Sequence, residues 1–196
     1  MLANAFRRAA TMQSAASMRG SASAIRNVRN FRVHHPRLVN VGDLLPSVDL
    51  QEGVPSVVVN LAKETSQGKY LVIGVPGAFS PGCSAEHVPG YINSFSQFHD
   101  KGVEKIFIVS VNDAFVSGAW AKELGANNNV RILADSTGDF TDQLDLSFDA
   151  SKFFGNARSK RYALIIQDGK VVEQFVEPDA VSVKVSAAPE VLKYLK

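Results

Sequence analysis

One apolar run, Lys69–Val75 (KYLVIGV), limits most strongly which folds this chain can adopt. Its β-branched residues predict a strand, and the lack of polar alternation predicts that both faces of this strand are covered. Ser56–Ala62 (SVVVNLA), Lys105–Val111 (KIFIVSV) and Arg131–Ala134 (RILA) predict further strands. Strands that are covered on both faces occur mainly where helices pack on each side of a sheet.

Helical patterns separate several of these strands. Apolar residues recur at helical spacing in three segments, which are about Cys83–Phe98, Ala114–Leu124 and Pro189–Leu195. Tyr162–Gln167 and Lys170–Val176 predict an antiparallel hairpin, because the intervening Asp168-Gly169 favours a tight primed turn. The sequence therefore predicts an α/β domain with a mixed central sheet, flanking helices and the antiparallel hairpin toward one side.

Length and composition exclude several classes of protein. A chain of 196 residues, 45% hydrophobic and 20% charged, is expected to form one well-packed domain. It has no stretch of about 20 consecutive apolar residues, so we expect no membrane span. A single cysteine excludes an intrachain disulfide framework. Without a glycine-rich phosphate loop or an acidic metal cluster, we expect no metal, flavin, haem or nicotinamide.

The basic charge of the chain is confined to its N-terminal end. Residues 1–37 contain no lysine and no acid but hold seven arginines, which are Arg7, Arg8, Arg19, Arg26, Arg29, Arg32 and Arg37. Without them, 14 of the 21 basic residues remain against 19 acidic ones, a balance of −5. Nucleic-acid binding requires a basic surface on the domain itself, so we expect no nucleic-acid partner.

This N-terminal segment is predicted to be a mitochondrial transit peptide. It is rich in Arg, Ser and Ala, and Leu2, Phe6, Ala9 and Ala10 fit one helical face. We expect residues 1–35 to be the transit peptide, cleaved near Arg29 to His35, and residues 38–196 to form the domain. The matrix is the expected location. The alternative is a disordered basic tail without a targeting role.

The only cysteine, Cys83, follows the strand Lys69–Val75 through the proline- and glycine-rich stretch 76–82. It is predicted to lie at or near the first turn of a helix, where backbone N–H groups and the helix dipole favour an anion. A thiol in such a place has a lowered pKa, and the thiolate form is the nucleophile. Pro89 is expected to kink this helix. The alternative is that Cys83 is a small buried hydrophobic residue.

His87 lies four residues after Cys83, so the two side chains fit one helical face. A nucleophile pair or a metal pair is conceivable, but metal sites need three or four ligands and only His99 remains outside the N-terminal segment. A structural or surface histidine is the favoured interpretation. The dithiol motif C-x-x-C is absent, because Ser80 and Glu86 stand at the two positions where the second cysteine would be.

Pro76-Gly-Ala-Phe-Ser80-Pro-Gly-Cys83 resembles the peroxidatic P-x-x-x-(T/S)-x-x-C motif of peroxiredoxins. The longer run VPGAFSPGCSAEHVPGY is similar to the type-II, or peroxiredoxin-5-like, subfamily. Further blocks share this resemblance, which are Ser110–Val116 with Trp120, Leu133–Asp135, Phe154–Asn156, Lys160–Tyr162 and Val176–Pro178. The resemblance covers about Val41 to the C-terminus. It implies a thioredoxin-like fold with an N-terminal hairpin, peroxidase activity without a cofactor, and a homodimer.

The resemblance also implies roles for individual residues. Cys83 would be the peroxidatic nucleophile that becomes a sulfenic acid. The Ser80 hydroxyl would bind the sulfur and the peroxide, while the N–H groups of Gly82 and Cys83 hold the peroxide oxygens. Pro76 would shield the site from water. Arg161 would keep Cys83 ionised and stabilise the charge of the transition state.

Five further residues have expected roles near the site or in the core. Arg158 is the nearest rival of Arg161 for the role of the active-site cation. Phe79 and Phe154 are expected to rim an apolar entrance for the substrate or to contact the second subunit. Phe115 and Trp120 are expected to pack in the core.

Two departures from the resembled family affect the expected chemistry. The family usually has threonine where Ser80 stands, so the hydroxyl is kept but the β-methyl group that restricts its rotation is missing. Relatives that form an intramolecular disulfide carry a second cysteine near the C-terminus, where this chain has Val183-Lys-Val185-Ser. A one-cysteine mechanism with an external thiol, glutathione with or without glutaredoxin or a thioredoxin, is therefore expected.

Two other functions are compatible with these residues. A redox sensor would pass the oxidation of Cys83 to a partner protein through a mixed disulfide. A non-catalytic binding module of the same fold would keep Cys83 as an inert thiol, with a pKa near the free value of about 8.5.

Overall fold

The computed structural model describes residues 39–195, so the predicted transit peptide and its cleavage site lie outside the described residues. Nine strands occur in this range, which are β1 (Asp49–Glu52), β2 (Val54–Asn60), β3 (Lys69–Val75), β4 (Val103–Ser110), β5 (Val130–Ala134), β6 (Ser147–Asp149), β7 (Ala157–Ser159), β8 (Tyr162–Gln167) and β9 (Lys170–Val176). Seven of them form one sheet in the order β2-β1-β5-β4-β3-β8-β9, and β6 pairs with β7.

Short helices connect these strands and cover both faces of the sheet. They are α1 (Leu61–Glu64), a π-helical turn (Cys83–His87), α2 (Val88–Asn93), α3 (Phe95–Asp100), α4 (Ala114–Glu123), α5 (Asp139–Gln143), α6 (Ser151–Phe154) and α7 (Ala188–Leu192). None of the helices within residues 39–195 has the length and apolar content needed to cross a bilayer.

Strand β3 lies inside the sheet, as its apolar run predicts. It pairs in parallel with β4 and antiparallel with β8, so the sheet is mixed. Leu71, Ile73 and Val75 point into one buried cluster, and the alternating Tyr70 and Val72 point into another. Both faces of the sheet are therefore covered, which confirms the predicted α/β layering.

The predicted C-terminal hairpin is confirmed at one edge of the sheet. Tyr162 pairs with Val176 at its open end, and Gln167 pairs with Lys170 next to the turn. Asp168 (φ 50°) and Gly169 (φ 78°) both have left-handed backbone conformations. Two such residues form the primed turn whose twist matches that of the strands.

The N-terminal hairpin consists of β1 and β2, which pair antiparallel across Gly53. Residue patterns did not predict β1, because its sequence DLQE is polar and only Leu50 is buried. The strand forms because it lies between β2 and β5 and Leu50 enters the core. Strand β2 ends two residues before the predicted Ala62, where the chain turns into α1.

The predicted helix over Cys83–Phe98 is wrong as one continuous element. Its first turn is π-helical, with the N–H of Val88 donating to the carbonyl oxygen of Cys83. Pro89 has no N–H to donate to Ala85, and the turn before it is widened, so the predicted irregularity lies at the proline. A second break follows at Ser94, where the backbone leaves the helical conformation (φ −97°, ψ 7°).

Helix α4 begins as predicted. The Asp113 carboxylate accepts hydrogen bonds from the N–H groups of Phe115 and Val116, both at 2.9 Å. Trp120 is fully buried, in agreement with its predicted packing role. The same prediction for Phe115 is wrong, because this side chain is 65% exposed on the first turn of the helix.

Candidate active site

The loop between β3 and the π-helical turn is held in place by hydrogen bonds within the loop and to Asn112, which follows β4. Pro76 and Gly77 are buried, so the loop starts inside the protein. The N–H of Ala78 donates to Asn112 Oδ1 at 2.9 Å, and the Ser80 hydroxyl donates to the carbonyl oxygen of Gly77 at 2.9 Å. Phe79, between them, has a left-handed backbone (φ 60°), which is unusual for an aromatic residue.

Cys83 lies at the start of the helical run, as the sequence predicts. The helical backbone begins at Pro81, and the Ser84 N–H donates to the carbonyl oxygen of Ser80 at 2.9 Å. The Cys83 side chain is 0% exposed and packs in the same buried cluster as Val75. The thiol is therefore both helix-terminal and buried, which combines the reactive and the structural interpretations of the sequence.

Arg161 lies directly beside this thiol. Its Nη1 atom is 3.4 Å from Cys83 Sγ, although 78 residues separate the two in the sequence. Arg161 is 3% exposed, and its Nε donates to the carbonyl oxygen of Val181 at 2.9 Å. A buried cation at this distance stabilises an anionic sulfur, because arginine stays charged and only donates hydrogen bonds.

The missing side chain of Gly82 lets the guanidinium come this close. A Cβ atom at Gly82 would lie 3.2 Å from Arg161 Nη2, which is closer than nearly all contacts of real Cβ atoms. Gly82 has an ordinary helical backbone (φ −65°), so backbone freedom does not explain a glycine here. The close approach of the guanidinium does.

His87 accepts a hydrogen bond from the same guanidinium. Its Nδ1 is 3.2 Å from Arg161 Nη1, and its Nε2 is 2.9 Å from the carbonyl oxygen of Ser186. Because arginine only donates, the network assigns the proton of the ring to Nε2. Burial and the Arg161 charge lower the pKa of His87 to about 3, so the ring is neutral near pH 7. A structural histidine was the favoured interpretation, and the side chain is buried with both nitrogens hydrogen-bonded.

The segment after β9 completes the buried layer around the site. Glu177 is 1% exposed, and its Oε1 accepts the N–H of Lys184 at 2.7 Å and the N–H and hydroxyl of Ser186 at 2.9 and 2.8 Å. The Ser186 carbonyl oxygen accepts hydrogen bonds from His87 Nε2 at 2.9 Å and from the Tyr91 hydroxyl at 2.5 Å. Sequence reasoning missed Glu177 and Ser186; the only signal was the block Val176–Pro178 that shares the family resemblance.

The structure differs from one expectation for the site. The hydroxyl proton of Ser80 is directed to the Gly77 carbonyl oxygen rather than to Cys83 Sγ. A hydroxyl has one proton, so the oxygen of Ser80 remains as an acceptor.

Phe154 and Arg158 lie beside Gly77 at the start of the loop, whereas Arg161 lies beside Gly82. A Cβ atom at Gly77 would lie 3.0 Å from the Phe154 ring, and Arg158 stacks over that ring at 4.8 Å. The Arg158 Nη1 donates to the carbonyl oxygen of Val111 at 2.6 Å. Arg161 therefore contacts the thiol, while Arg158 supports the loop. Phe79 is 47% exposed at the loop tip.

Within residues 39–195, no group of three or more His, Cys, Asp or Glu side chains could hold a metal ion.

Comparison with known proteins identifies the family. The model of the Redoxin family matches residues 40–192, and the chain belongs to this family. The peroxisomal membrane associated protein 20 of Schizosaccharomyces pombe is 46% identical over 160 residues, which cover 81% of this chain and 100% of that protein. Peroxiredoxin-2C of Oryza sativa subsp. japonica is 42% identical over 160 residues, covering 80% of this chain and 98% of the relative.

Solved structures agree with this assignment. Reduced Prx3 of Vibrio vulnificus in complex with hydrogen peroxide has a TM-score of 0.75 and 39% identity, covering 80% of this chain and 96% of that chain. Peroxiredoxin 5 of Alvinella pompejana has a TM-score of 0.71 and 35% identity, covering 79% and 96%. The predicted thioredoxin-like fold is confirmed, and within its family this protein is a peroxiredoxin-type thiol peroxidase with a single cysteine.

Proposed function

We propose that this peroxidase reduces hydrogen peroxide and organic hydroperoxides through a sulfenic acid at Cys83. The observation that supports this most strongly is the contact between Arg161 Nη1 and Cys83 Sγ at 3.4 Å. A buried thiol next to a buried guanidinium has the partner that a nucleophilic thiolate needs. The similar Prx3 of Vibrio vulnificus, whose structure holds hydrogen peroxide, supports the same substrate class.

The proposed chemistry is a two-electron transfer between sulfur and the peroxide bond. The Cys83 thiolate attacks the terminal hydroxyl oxygen of the peroxide, so that an S–O bond forms while the O–O bond breaks. The product is Cys83 sulfenic acid. The leaving oxygen takes up the proton that the thiol released and departs as water or an alcohol.

The surrounding residues would stabilise this reaction. Arg161 balances the charge of the thiolate and of the leaving oxygen. The N–H groups of Gly82 and Cys83 would donate hydrogen bonds to the peroxide oxygens. The Ser80 oxygen would accept a hydrogen bond from the peroxide hydroxyl. Pro76, buried at the start of the loop, would exclude water.

An external thiol is proposed to close the cycle, because the chain has no second cysteine. The first thiol would attack the sulfenic sulfur, form a mixed disulfide and release water. A second thiol would then regenerate Cys83 and leave as the oxidised disulfide. Glutathione, with or without glutaredoxin, or a thioredoxin would supply these thiols.

Stopped-flow oxidation of the reduced protein by hydrogen peroxide tests this proposal. We expect no oxidation phase in Cys83→Ser and a slowing of at least about a hundredfold in Arg161→Ala, typical for the loss of a transition-state donor. Arg158→Ala, the matched control, should be slowed far less. Wild-type oxidation no faster than that of a free thiolate at the same pH would contradict the proposal.

A peroxide sensor is the second candidate function. The single thiol favours it as well, because a mixed disulfide with another molecule is the obligatory product of thiol attack on the sulfenic acid. Addition of glutathione with glutaredoxin, or of thioredoxin, separates the two functions. Sustained turnover supports the peroxidase, whereas fast oxidation without turnover by any of these donors supports the sensor.

We further propose that the protein acts as a homodimer in the mitochondrial matrix. The exposed ring of Phe79 at the loop tip is a candidate contact with the second subunit.

Relatives named for the peroxisome and the chloroplast show that the family name does not determine the compartment. Import of a reporter fused to residues 1–35, compared with the same fusion in which the arginines are replaced by glutamine, tests the location.

A further inference from the structure

A continuous chain of hydrogen bonds leads from the thiol into the C-terminal part of the protein. Arg161 Nη1 donates to Cys83 Sγ at 3.4 Å and to His87 Nδ1 at 3.2 Å. His87 Nε2 donates to the Ser186 carbonyl oxygen at 2.9 Å. Ser186 then donates its N–H and its hydroxyl to Glu177 Oε1 at 2.9 and 2.8 Å. This series of hydrogen bonds ends at the buried carboxylate of Glu177.

We infer that Glu177 is a positioning residue for the peroxidase reaction, holding the Arg161 guanidinium on Cys83 through Ser186 and His87. The inference rests on the proposed function, because it assigns a further residue to the same site. Glu177 itself does not touch the thiol. Its effect depends on the connection through the two intermediate residues and on the loop that it organises.

Glu177 organises this loop through a single oxygen atom. Its Oε1 accepts three hydrogen bonds, two of them from Ser186 and one from the N–H of Lys184 at 2.7 Å. The loop that is closed in this way, residues 177–186, carries the carbonyl oxygens that fix Arg161. The Ala180 carbonyl oxygen accepts a hydrogen bond from the backbone N–H of Arg161 at 2.7 Å. The Val181 carbonyl oxygen accepts one from Arg161 Nε at 2.9 Å.

The guanidinium is therefore held from two directions by groups that depend on Glu177. The Val181 carbonyl oxygen fixes Nε, and the His87 ring fixes Nη1. Arginine has a planar fork of donors, so two fixed nitrogens define the orientation of the whole group. The second contact requires an unprotonated Nδ1 on His87. Charged and titratable groups near this ring include Arg161, Tyr91, whose ring centroid is 5.4 Å away, and Glu177 beyond Ser186. The Cys83 thiol is hydrogen-bonded to the same Arg161 nitrogen as the ring.

A purely electrostatic role of Glu177 would have the opposite consequence. A buried carboxylate disfavours a second anion in its neighbourhood, so its removal would make the Cys83 thiolate easier to form. Loss of the positioning contacts would instead let the guanidinium move away from the sulfur, and the thiolate would become harder to form. The sign of the change at Cys83 therefore distinguishes the two roles.

The test uses the full chain with Glu177→Ala, which removes the acceptor, and Glu177→Gln, which keeps an acceptor oxygen and removes the charge. We expect Glu177→Ala to slow Cys83 oxidation by peroxide at least about tenfold and to move the thiolate titration midpoint, followed by ultraviolet absorbance, to higher pH. Glu177→Gln should retain most of the wild-type rate. Glu173→Gln changes an exposed glutamate on β9 and serves as the matched control.

A double-mutant cycle shows whether Glu177 acts through Arg161. In an Arg161→Ala background, Glu177→Ala should cause almost no further slowing, because the group that it positions is absent. Equal slowing in both backgrounds would overturn the inference, as would a thiolate midpoint that is unchanged or lowered in Glu177→Ala.

If Glu177→Ala does not fold, the pair His87→Leu and His87→Gln tests the same chain of contacts. Leucine should reproduce the slow oxidation and the raised thiolate midpoint, and glutamine, which keeps an acceptor, should restore the rate. Equal behaviour of the two variants would overturn the inference. The thiolate titration does not depend on turnover, so a slow wild type would contradict the peroxidase function and still leave this inference tested.

Discussion

Gly82 and Arg161 meet so closely that adding one methyl group separates stability from activity. The Cβ of alanine would lie 3.2 Å from Arg161 Nη2, and the guanidinium would have to move. The helical backbone of Gly82 favours alanine over glycine by roughly 0.5–1 kcal/mol. We therefore predict that Gly82→Ala slows peroxide oxidation about tenfold while the free energy of unfolding in urea is kept or raised.

Gly90→Ala is the control for this prediction. Gly90 lies in α2, and its added Cβ would make an ordinary contact of 3.7 Å with Ala188 Cβ. This variant should oxidise at the wild-type rate. Similar slowing in both glycine variants would mean that backbone stiffness, and not the position of Arg161, controls the reaction.

The buried neutral ring of His87 makes stability depend on pH. Burial and the Arg161 charge lower its pKa to about 3, whereas the histidine pKa of an unfolded chain is about 6.5. Between these values only the unfolded chain binds the proton, so the free energy of unfolding falls with falling pH by at most about 1.4 kcal/mol per unit. From about pH 7 to about pH 4.5, wild type should lose about 2–3 kcal/mol more than His87→Gln in urea unfolding.

Groups other than His87 titrate in both proteins, so the difference between the two curves isolates this ring. Parallel curves for wild type and His87→Gln over this pH range would contradict a buried neutral histidine.

The contacts of His87 also mark the limit of sequence analysis at the residue scale. Cys83 was predicted from its position at a helix start and from family resemblance, and Arg161 from family resemblance. Nothing local in the sequence pairs His87 with Ser186, 99 residues away.

At the scale of single elements, the N-terminus of α4 depends on one carboxylate. Asp113 accepts from two backbone N–H groups at 2.9 Å that have no partner within the helix. We predict that Asp113→Ala lowers the free energy of unfolding by about 1 kcal/mol, measured in urea, because this cap is lost.

Asp113→Asn keeps an oxygen acceptor and should lose only a fraction of that stability. If the alanine and asparagine variants were equally stable, the helix start would be held by tertiary packing around Trp120 and not by the cap.

The elements that were predicted well are those whose burial shows in their composition. Strand β3 and the hairpin β8–β9 are apolar where they are buried, and their turn residues fit the required backbone. Strand β1 is polar and exists because of its neighbours. The break at Ser94 and the exposure of Phe115 likewise depend on which parts of each helix find a partner, and residue periodicity does not contain that information.

For the whole molecule, the charge separation of the sequence predicts that the N-terminal segment is dispensable for stability. The domain is attached at the first residue that the structure describes, because the Val39 N–H donates to the Leu144 carbonyl oxygen at 3.0 Å. We predict that removal of residues 1–35 leaves the midpoint of urea unfolding unchanged and turns a basic protein into an acidic one, visible by isoelectric focusing, because this segment holds basic residues and no acidic ones. A lower midpoint in the shortened protein would show that this segment packs on the domain.

The complete burial of Cys83 makes its reaction rate with a labelling reagent a measure of local opening in the native protein. It is the only thiol in the chain, and its side chain is 0% exposed. A bulky thiol-directed label can modify it only when the structure around the thiol opens locally, so the labelling rate of the native protein measures how often the site opens. Comparison of that rate with the rate of reduction by an external thiol would show whether one opening event limits both, with no engineered cysteine.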